Sequence, residues 1–254
     1  MKPTGILLIG VCSVLLAVVP AATANDPGDN TVFIQSNGDL IGSHCHSHGF
    51  PVILCAPGNY KLVGTITVPA NLDAIDITAD NVTLDLNGFS IIGPVTCTAT
   101  AGPTCSGSNT GSGIFSPWDN TVVKNGVVNG FVVGVYLIGR GSLVDAVHAK
   151  NNLHDGIHAE YGVVQRSTAI MNGYSGVYMT AGVIQGNFYQ YNYTGIFGQQ
   201  IVVIGNSTAN NNYGLNVVQG SLYGSNSFTG DVISDVYSLG AISQGNNVCG
   251  LVQC

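Results

Sequence analysis

Residues 151–198 read NNLHDGIHAEYGVVQRSTAIMNGYSGVYMTAGVIQGNFYQYNYTGIFG, a stretch that repeats itself. An asparagine (Asn152, Asn172, Asn192) is followed three or four residues later by a glycine and an apolar residue: Gly156-Ile157, Gly176-Val177, Gly195-Ile196. On either side the pair returns as Gly113-Ile114, Gly134-Val135 and Gly214-Leu215, the last preceded by Asn211. Successive pairs are 21, 22, 20, 19 and 19 residues apart. Such a period marks a stacked architecture, in which each repeat buries its apolar face only against its neighbours.

Each pair opens a short strand of alternating pattern. Val135, Ile157, Val177, Ile196 and Leu215 are expected to point inward, as are Leu137, Ala159, Met179, Gly198 and Val217 two positions on, because side chains alternate across a strand. The column between them, Tyr136, His158, Tyr178, Phe197 and Asn216, is expected to face out. A second strand about ten residues earlier carries Leu143-Val144, Val163-Val164, Val183-Ile184, Val202-Val203 and Ser221-Leu222. The asparagines are placed to hydrogen-bond from coil to coil, and the glycine after the turn is expected to supply a positive φ. No window keeps apolar residues at helical spacing, since Gly and Asn interrupt each one. Leucine-rich repeats lack support because their leucine spacing is missing, and a propeller needs blades about twice as long. Parallel strands with coils of 19–22 residues and rungs ~4.8 Å apart predict an all-β parallel β-helix of roughly eight to ten coils.

Residues 1–24 read as a signal peptide: Lys2, an apolar run from Ile6 to Val19, then Ala22-Thr23-Ala24. That run is too short for a convincing membrane span, and no later run approaches spanning length. Residues 25–50 read as an N-terminal leader or cap, and residues 51–254 as the helix proper. A Gly/Ser/Thr-rich insertion at 95–112 is expected to protrude as a loop, and 231–254 to form an irregular end. The formal net charge is −7, and removal of Lys2 with the signal makes it −8. So few cations exclude a nucleic-acid partner, and a polyanionic glycan would be repelled unless a metal bridged it. Beyond the signal lie Cys45, Cys55, Cys97, Cys105, Cys249 and Cys254. Six cysteines allow fifteen pairings; they fall into three close pairs, expected as Cys45–Cys55, Cys97–Cys105 and Cys249–Cys254 in a secreted or periplasmic protein. Acceptor patterns for glycosylation start at Asn81, Asn192 and Asn206, two of them where the side chain is expected to stack inward. Nucleophile-elbow, dinucleotide and zincin motifs are absent from the sequence.

Gly58-Asn59-Tyr60-Lys61-Leu62, the run from Ala79 to Phe89 (ADNVTLDLNGF) and Ile92-Gly93-Pro94 resemble the opening coils of exported bacterial right-handed parallel β-helix repeat proteins. The later Asn…Gly-Ile coils resemble the same group, over roughly residues 50–230. The resemblance implies a right-handed helix of the pectate-lyase-like superfamily, which holds polysaccharide lyases, hydrolases, epimerases and NosD-type periplasmic proteins. One fold hosting so many activities leaves the function to be read from a site.

Three sites are candidates. The outward rings Tyr136, His158, Tyr178 and Phe197 form a row on which sugar faces can stack, although the same row also suits a ladder that only stiffens the sheet. His154, Asp155 and His158 offer a base with an orienting carboxylate, and Arg166 is the cation a lyase would need. Against catalysis, the positions matching Asp155 in neighbouring coils are Ser175, Thr194 and Tyr213, and Arg166 aligns with Asp145, where an ion pair accounts for it. His44, His46 and His48 suit copper or zinc, unless Cys45 is tied up in a disulfide. The leading expectation is non-catalytic binding of a polysaccharide, a cell-surface glycan or a partner protein through a flat sheet. A small polysaccharide lyase or glycoside hydrolase is the alternative, with periplasmic copper handling behind it. No cofactor is implied.

Overall fold

The computed structural model describes residues 30–254 except 44, 46, 47 and 109. The expected signal peptide lies outside the described residues. Among them every regular element is a β-strand, and no helix is long and apolar enough to cross a membrane.

The chain winds into a parallel β-solenoid of about ten turns. Each regular coil lays one segment on each of three faces. On the first face Ile114 sits over Ile75, then come Val135, Ile157, Val177, Ile196 and Leu215, each paired with the next in parallel register. All six of these glycine-following residues are fully buried, so the inward column read from the repeat is the core. The second face stacks Val123, Val144, Val164, Ile184 and Val203 inward. Two strands, Ile157–Gln165 and Ser175–Gln185, bend without a break from the first face into the second.

The third face is one the repeat did not announce. It is made of three-residue strands, Thr168–Ile170, Phe188–Gln190, Ser207–Ala209 and Ser227–Thr229, that continue Val128 and Ala149. Their inward residues are Ala169, Tyr189, Thr208 and Phe228, all fully buried. Small and large side chains there fill one continuous core between them, so no single apolar type marks the position.

Two asparagine ladders clamp the corners. In the first, Asn152, Asn172 and Asn192 are fully buried, and each donates from both its backbone N–H and its side-chain amide to the Oδ1 of the next. Asn211 ends the row in the same way on Asp231. The second ladder, Asn187, Asn206, Asn226 and Asn247, follows the second face with amide contacts of 2.9–3.2 Å. A left-handed residue precedes each rung: Asn151, Met171, Tyr191 and Asn210 in the first ladder, and Gly186, Gly205, Ser225 and Asn246 in the second, at φ of +54° to +66°.

This corrects the role expected of the repeating glycines. Gly156, Gly176 and Gly195 do not have positive φ; the sharp bend has been taken by the residue before each asparagine. They are glycine because there is no room. A Cβ on Gly156 would lie 2.8 Å from the carbonyl oxygen of Gly176 and 2.7 Å from the Asn172 amide, and one on Gly176 would lie 2.6 Å from the Gly195 carbonyl.

The ends are closed by β-hairpins. Val32–Ile34 joins the second face beside Gly58–Leu62 and turns back through Leu40–Ile41, so the sheet reaches into the stretch read as a leader. Residues 231–254 continue the stack for one coil, then Val252–Gln253 folds back on Val248–Cys249. Disulfides Cys45–Cys55 and Cys249–Cys254 clip the two ends. The insertion at 95–112 does not protrude as expected. It forms a hairpin (Thr96–Cys97 with Cys105–Ser106, joined by the Cys97–Cys105 disulfide) that lies along the corner before the first face. Both sulfurs sit 3.5–3.7 Å from the Asn152 carbonyl oxygen, and Gly102 N–H donates to the Asn192 carbonyl.

Candidate functional site

The outward column of the first face runs, in register, Asp76, Phe115, Tyr136, His158, Tyr178, Phe197, Asn216, Tyr237. Parallel pairing sets these residues one rung apart, so the rings stand over one another. Centroid separations are 5.5 Å for Phe115–Tyr136, 4.6 Å for Tyr136–His158, 4.4 Å for His158–Tyr178 and 5.3 Å for Tyr178–Phe197. All four ring pairs are tilted, at or close to the ~4.5–7 Å separations at which aromatic pairs attract.

A second row runs beside it on the turn that leads into the first face. His154 stacks on Tyr174 at 4.8 Å, Tyr174 on Tyr193 at 5.9 Å, and Tyr213 carries the row to Tyr237. An edge contact between Tyr174 and Phe197 joins the two rows. Ten rings thus form one connected surface bordered by the inserted hairpin. Sequence reasoning missed the second row because alternation says nothing about a turn. The signal was present two residues before Gly156, Gly176 and Gly195, where His154, Tyr174 and Tyr193 stand.

Asp155 ties the rows together. It lies at the start of the strand, where the chain turns its side chain inward, and it is fully buried. Its Oδ1 accepts the Ser175 backbone N–H at 3.0 Å. Its Oδ2 meets Nδ1 of His154 at 3.0 Å and Nδ1 of His158 at 3.2 Å. Burial pushes the carboxyl pKa up, but the hydrogen bonds and charge of the two imidazoles outweigh it and hold it at about 2. The bond to Asp155 raises the pKa of His154 against the effect of burial. A carboxylate oxygen shared by two Nδ1 atoms fixes both rings as Nδ1 donors, which leaves each Nε2 as the atom that can bond a ligand hydroxyl.

His154, Asp155 and His158 are therefore brought together. Arg166 is not with them: it pairs with Asp145 on the corner between the second and third faces, through Nε at 2.8 Å and through a second guanidinium nitrogen. Of the histidines expected to bind metal, His44 and His46 lie outside the described residues. His48 is exposed and contacts Asp39 at 3.1 Å. Cys45 is held in its disulfide. Among the described residues no group of three or more metal-ligating side chains is arranged to hold an ion. At the foot of the ring column, Asp76 has one buried oxygen without a hydrogen-bond partner, and burial, together with Asp73, raises its pKa to about 6.

No family model matches the chain, and no curated protein matches it. Among solved structures it is similar to the crystal structure of the Dettilon tailspike protein (gp208), with 17% identity and a TM-score of 0.49 over 85% of this chain and 50% of that one. The chain thus spans about half the length of that protein.

Proposed function

We propose that the first face is a glycan-binding platform on an exported protein, and that it binds without cleaving. The connected surface of ten rings carries this reading. Pyranose rings present C–H faces that lie well on aromatic faces, and rungs ~4.8 Å apart offer a ring at about the spacing of successive sugars in an extended chain. Tyr174, Tyr193 and Tyr237 remain exposed at 37–44%, which gives a ligand surface to cover. Charge narrows the class. Glu160 and Asp155 lie close enough to Tyr136 to raise its pKa after burial has done so, and Asp76 lies at the foot of the ring column beside Phe115. Of the five cations among the described residues, Lys61, Lys124, Lys150 and Arg166 sit on the other faces or their corner, and Arg140 stands at the corner between the first and second faces, over the Tyr161 ring at 5.8 Å. A neutral polysaccharide or cell-surface glycan suits this face; a uronate or sulfated chain would be repelled. Three disulfides support a location outside the cytoplasm.

Tyr178→Ala, which removes the ring between His158 and Phe197, is expected to weaken glycan binding about tenfold, close to the 1.4 kcal/mol that one aromatic contact can supply. Glycan-array titration of the wild type and the variant, with circular dichroism to check the fold, measures it. An unchanged affinity would turn the platform back into a stiffening ladder.

A second reading is favoured by Asp155 alone. A buried carboxylate that orients an imidazole is the support a general base needs, so His158 is the group to test for lyase or hydrolase chemistry. Release of sugar fragments by the wild type and its loss in His158→Ala would replace binding with catalysis.

A further inference from the structure

We infer that the second face is an interface at which a second copy of this chain packs. Parallel sheets covered on both sides read as near-continuous apolar runs, whereas a sheet with one side in water alternates. The middle of the second face is apolar on its outer side as well, between polar flanks. Leu143-Val144, Val163-Val164, Val183-Ile184 and Val202-Val203 each place one apolar residue in the core and the other outside. The outer ones align rung by rung. Val122 pairs with Leu143, then Val163, Val183, Val202, Leu222 and Ile242 follow in unbroken register. Seven rungs make a straight apolar ridge about 29 Å long. Nothing among the described residues covers it fully; Val202 is 38% and Ile242 60% exposed. The other faces carry no such ridge. The outward column of the first is the ring row, and that of the third mixes Val127, His148, Thr168, Phe188 and Ser207.

Three features point to a second copy as the occupant. The ridge has the ~4.8 Å rung period, which another solenoid of the same chain matches rung for rung, and a two-fold axis brings the Val183 column against its own image. The surrounding charge is settled within the chain. Lys124 faces Asp85 at 3.9 Å, Arg166 holds Asp145, and Gln165 and Gln185 bond each other at 2.9 Å, so two acidic chains meet here without local repulsion. With the outward positions on either side, from Tyr161 to Gln165, the face measures roughly 29 Å by 17 Å at ~3.3 Å per residue. That is roughly 500 Å² per copy, and two copies reach the ~1,000 Å² that a biological contact has to clear. An apolar centre inside a polar rim is also the usual composition of a homomeric contact.

The experiment is sedimentation equilibrium of the exported chain at about 10 μM, beside Val183→Asp and Val202→Lys. Both substitutions are outward-facing and leave the core column intact. The wild type is expected at the mass of two copies, and each variant at the mass of one, with an unchanged circular dichroism spectrum. Should a variant fail to fold, hydroxyl-radical footprinting of the wild type decides. Leu143, Val163 and Val183 are expected to be protected at 10 μM and to gain reactivity at least threefold on dilution to the monomer. A wild type that sediments as one copy, or an assembly that both variants leave unchanged, overturns the inference. Tyr178→Ala on the first face is expected to leave the mass unaltered, so the platform and the interface fail independently.

Discussion

Asn172→Ala is expected to cost roughly 3–5 kcal/mol of stability, among the largest effects of any single truncation in this chain. The Asn172 Oδ1 accepts both the backbone N–H and the side-chain amide of Asn152, at 3.2 and 2.8 Å, and its own amide donates to Asn192 Oδ1 and to the Ala149 carbonyl. Deleting the side chain strands two donors on one coil and a carbonyl on the same coil, all in a site without access to water. Each stranded buried group costs about 1–3 kcal/mol, and a small cavity adds to the sum. Chemical denaturation measures the total. Hydrogen exchange locates it, with the Asn152 amide expected to lose protection first. Asn172→Asp is expected to fail as well, because its second oxygen would face the Asn192 Oδ1 and the Ala149 carbonyl with no proton between them. The end of the ladder shows where an acid is tolerated: Asp231 receives Asn211 and the Thr208 hydroxyl and has no onward acceptor to meet. Asn216→Ala, on the outward column, is the control and is expected to change stability by no more than about 0.5 kcal/mol. An Asn172→Ala protein as stable as this control would mean that the ladder is ornamental.

The same residues show what the sequence could disclose. The Asn152 ladder was legible because its spacing to the glycine pair is nearly constant. The Asn187 ladder was not, since the residue before it changes from Gly186 to Ser225 to Asn246; what those positions share is a left-handed backbone. The third face stayed hidden because its inward residue alternates between Ala169 and Phe228 in bulk, so the core is filled collectively rather than position by position. The glycines were found, but for a different reason: a neighbouring carbonyl and the ladder amide exclude a Cβ, a contact between coils that no local rule on φ reveals. For the site, alternation placed Tyr136, His158, Tyr178 and Phe197, while Tyr174 and Tyr193 lie on a turn where alternation does not apply. Asp155 was located correctly beside His158, yet its burial follows from its place at the foot of a strand, and burial gives it command of both imidazoles.

Asp155→Ala is expected to lose about 3–5 kcal/mol at pH 5.5, because it removes the acceptor of Ser175 N–H, leaves the His154 imidazole without its counter-charge and strands the Nδ1–H of His158. The more telling variant is Asp155→Asn, which keeps the shape and removes the charge. In the wild type the Asp155 pKa falls from 3.8 to about 2 on folding. At ~1.36 kcal/mol per unit this contributes about 2 kcal/mol, present above pH 3.8 and lost as the pH falls through about 2. His154 shifts the other way: its contribution is full below 6.5 and lost as the pH rises through its higher folded value. Together they give a stability maximum between about pH 4 and pH 6.5 from this cluster. An asparagine can still accept from Ser175 and can donate to a neutral imidazole, so the variant is expected to match the wild type most closely at pH 8.5 and to fall behind at pH 5.5. Asp76, Asp231 and Asp235, raised by burial, titrate in both proteins and cancel in the difference. Urea midpoints at pH 3, 5.5 and 8.5 measure that difference. A gap between wild type and Asp155→Asn that stays constant across the three values would show that the charge of Asp155 does not hold the two imidazoles, and the ring surface would then owe its joined rows to packing alone.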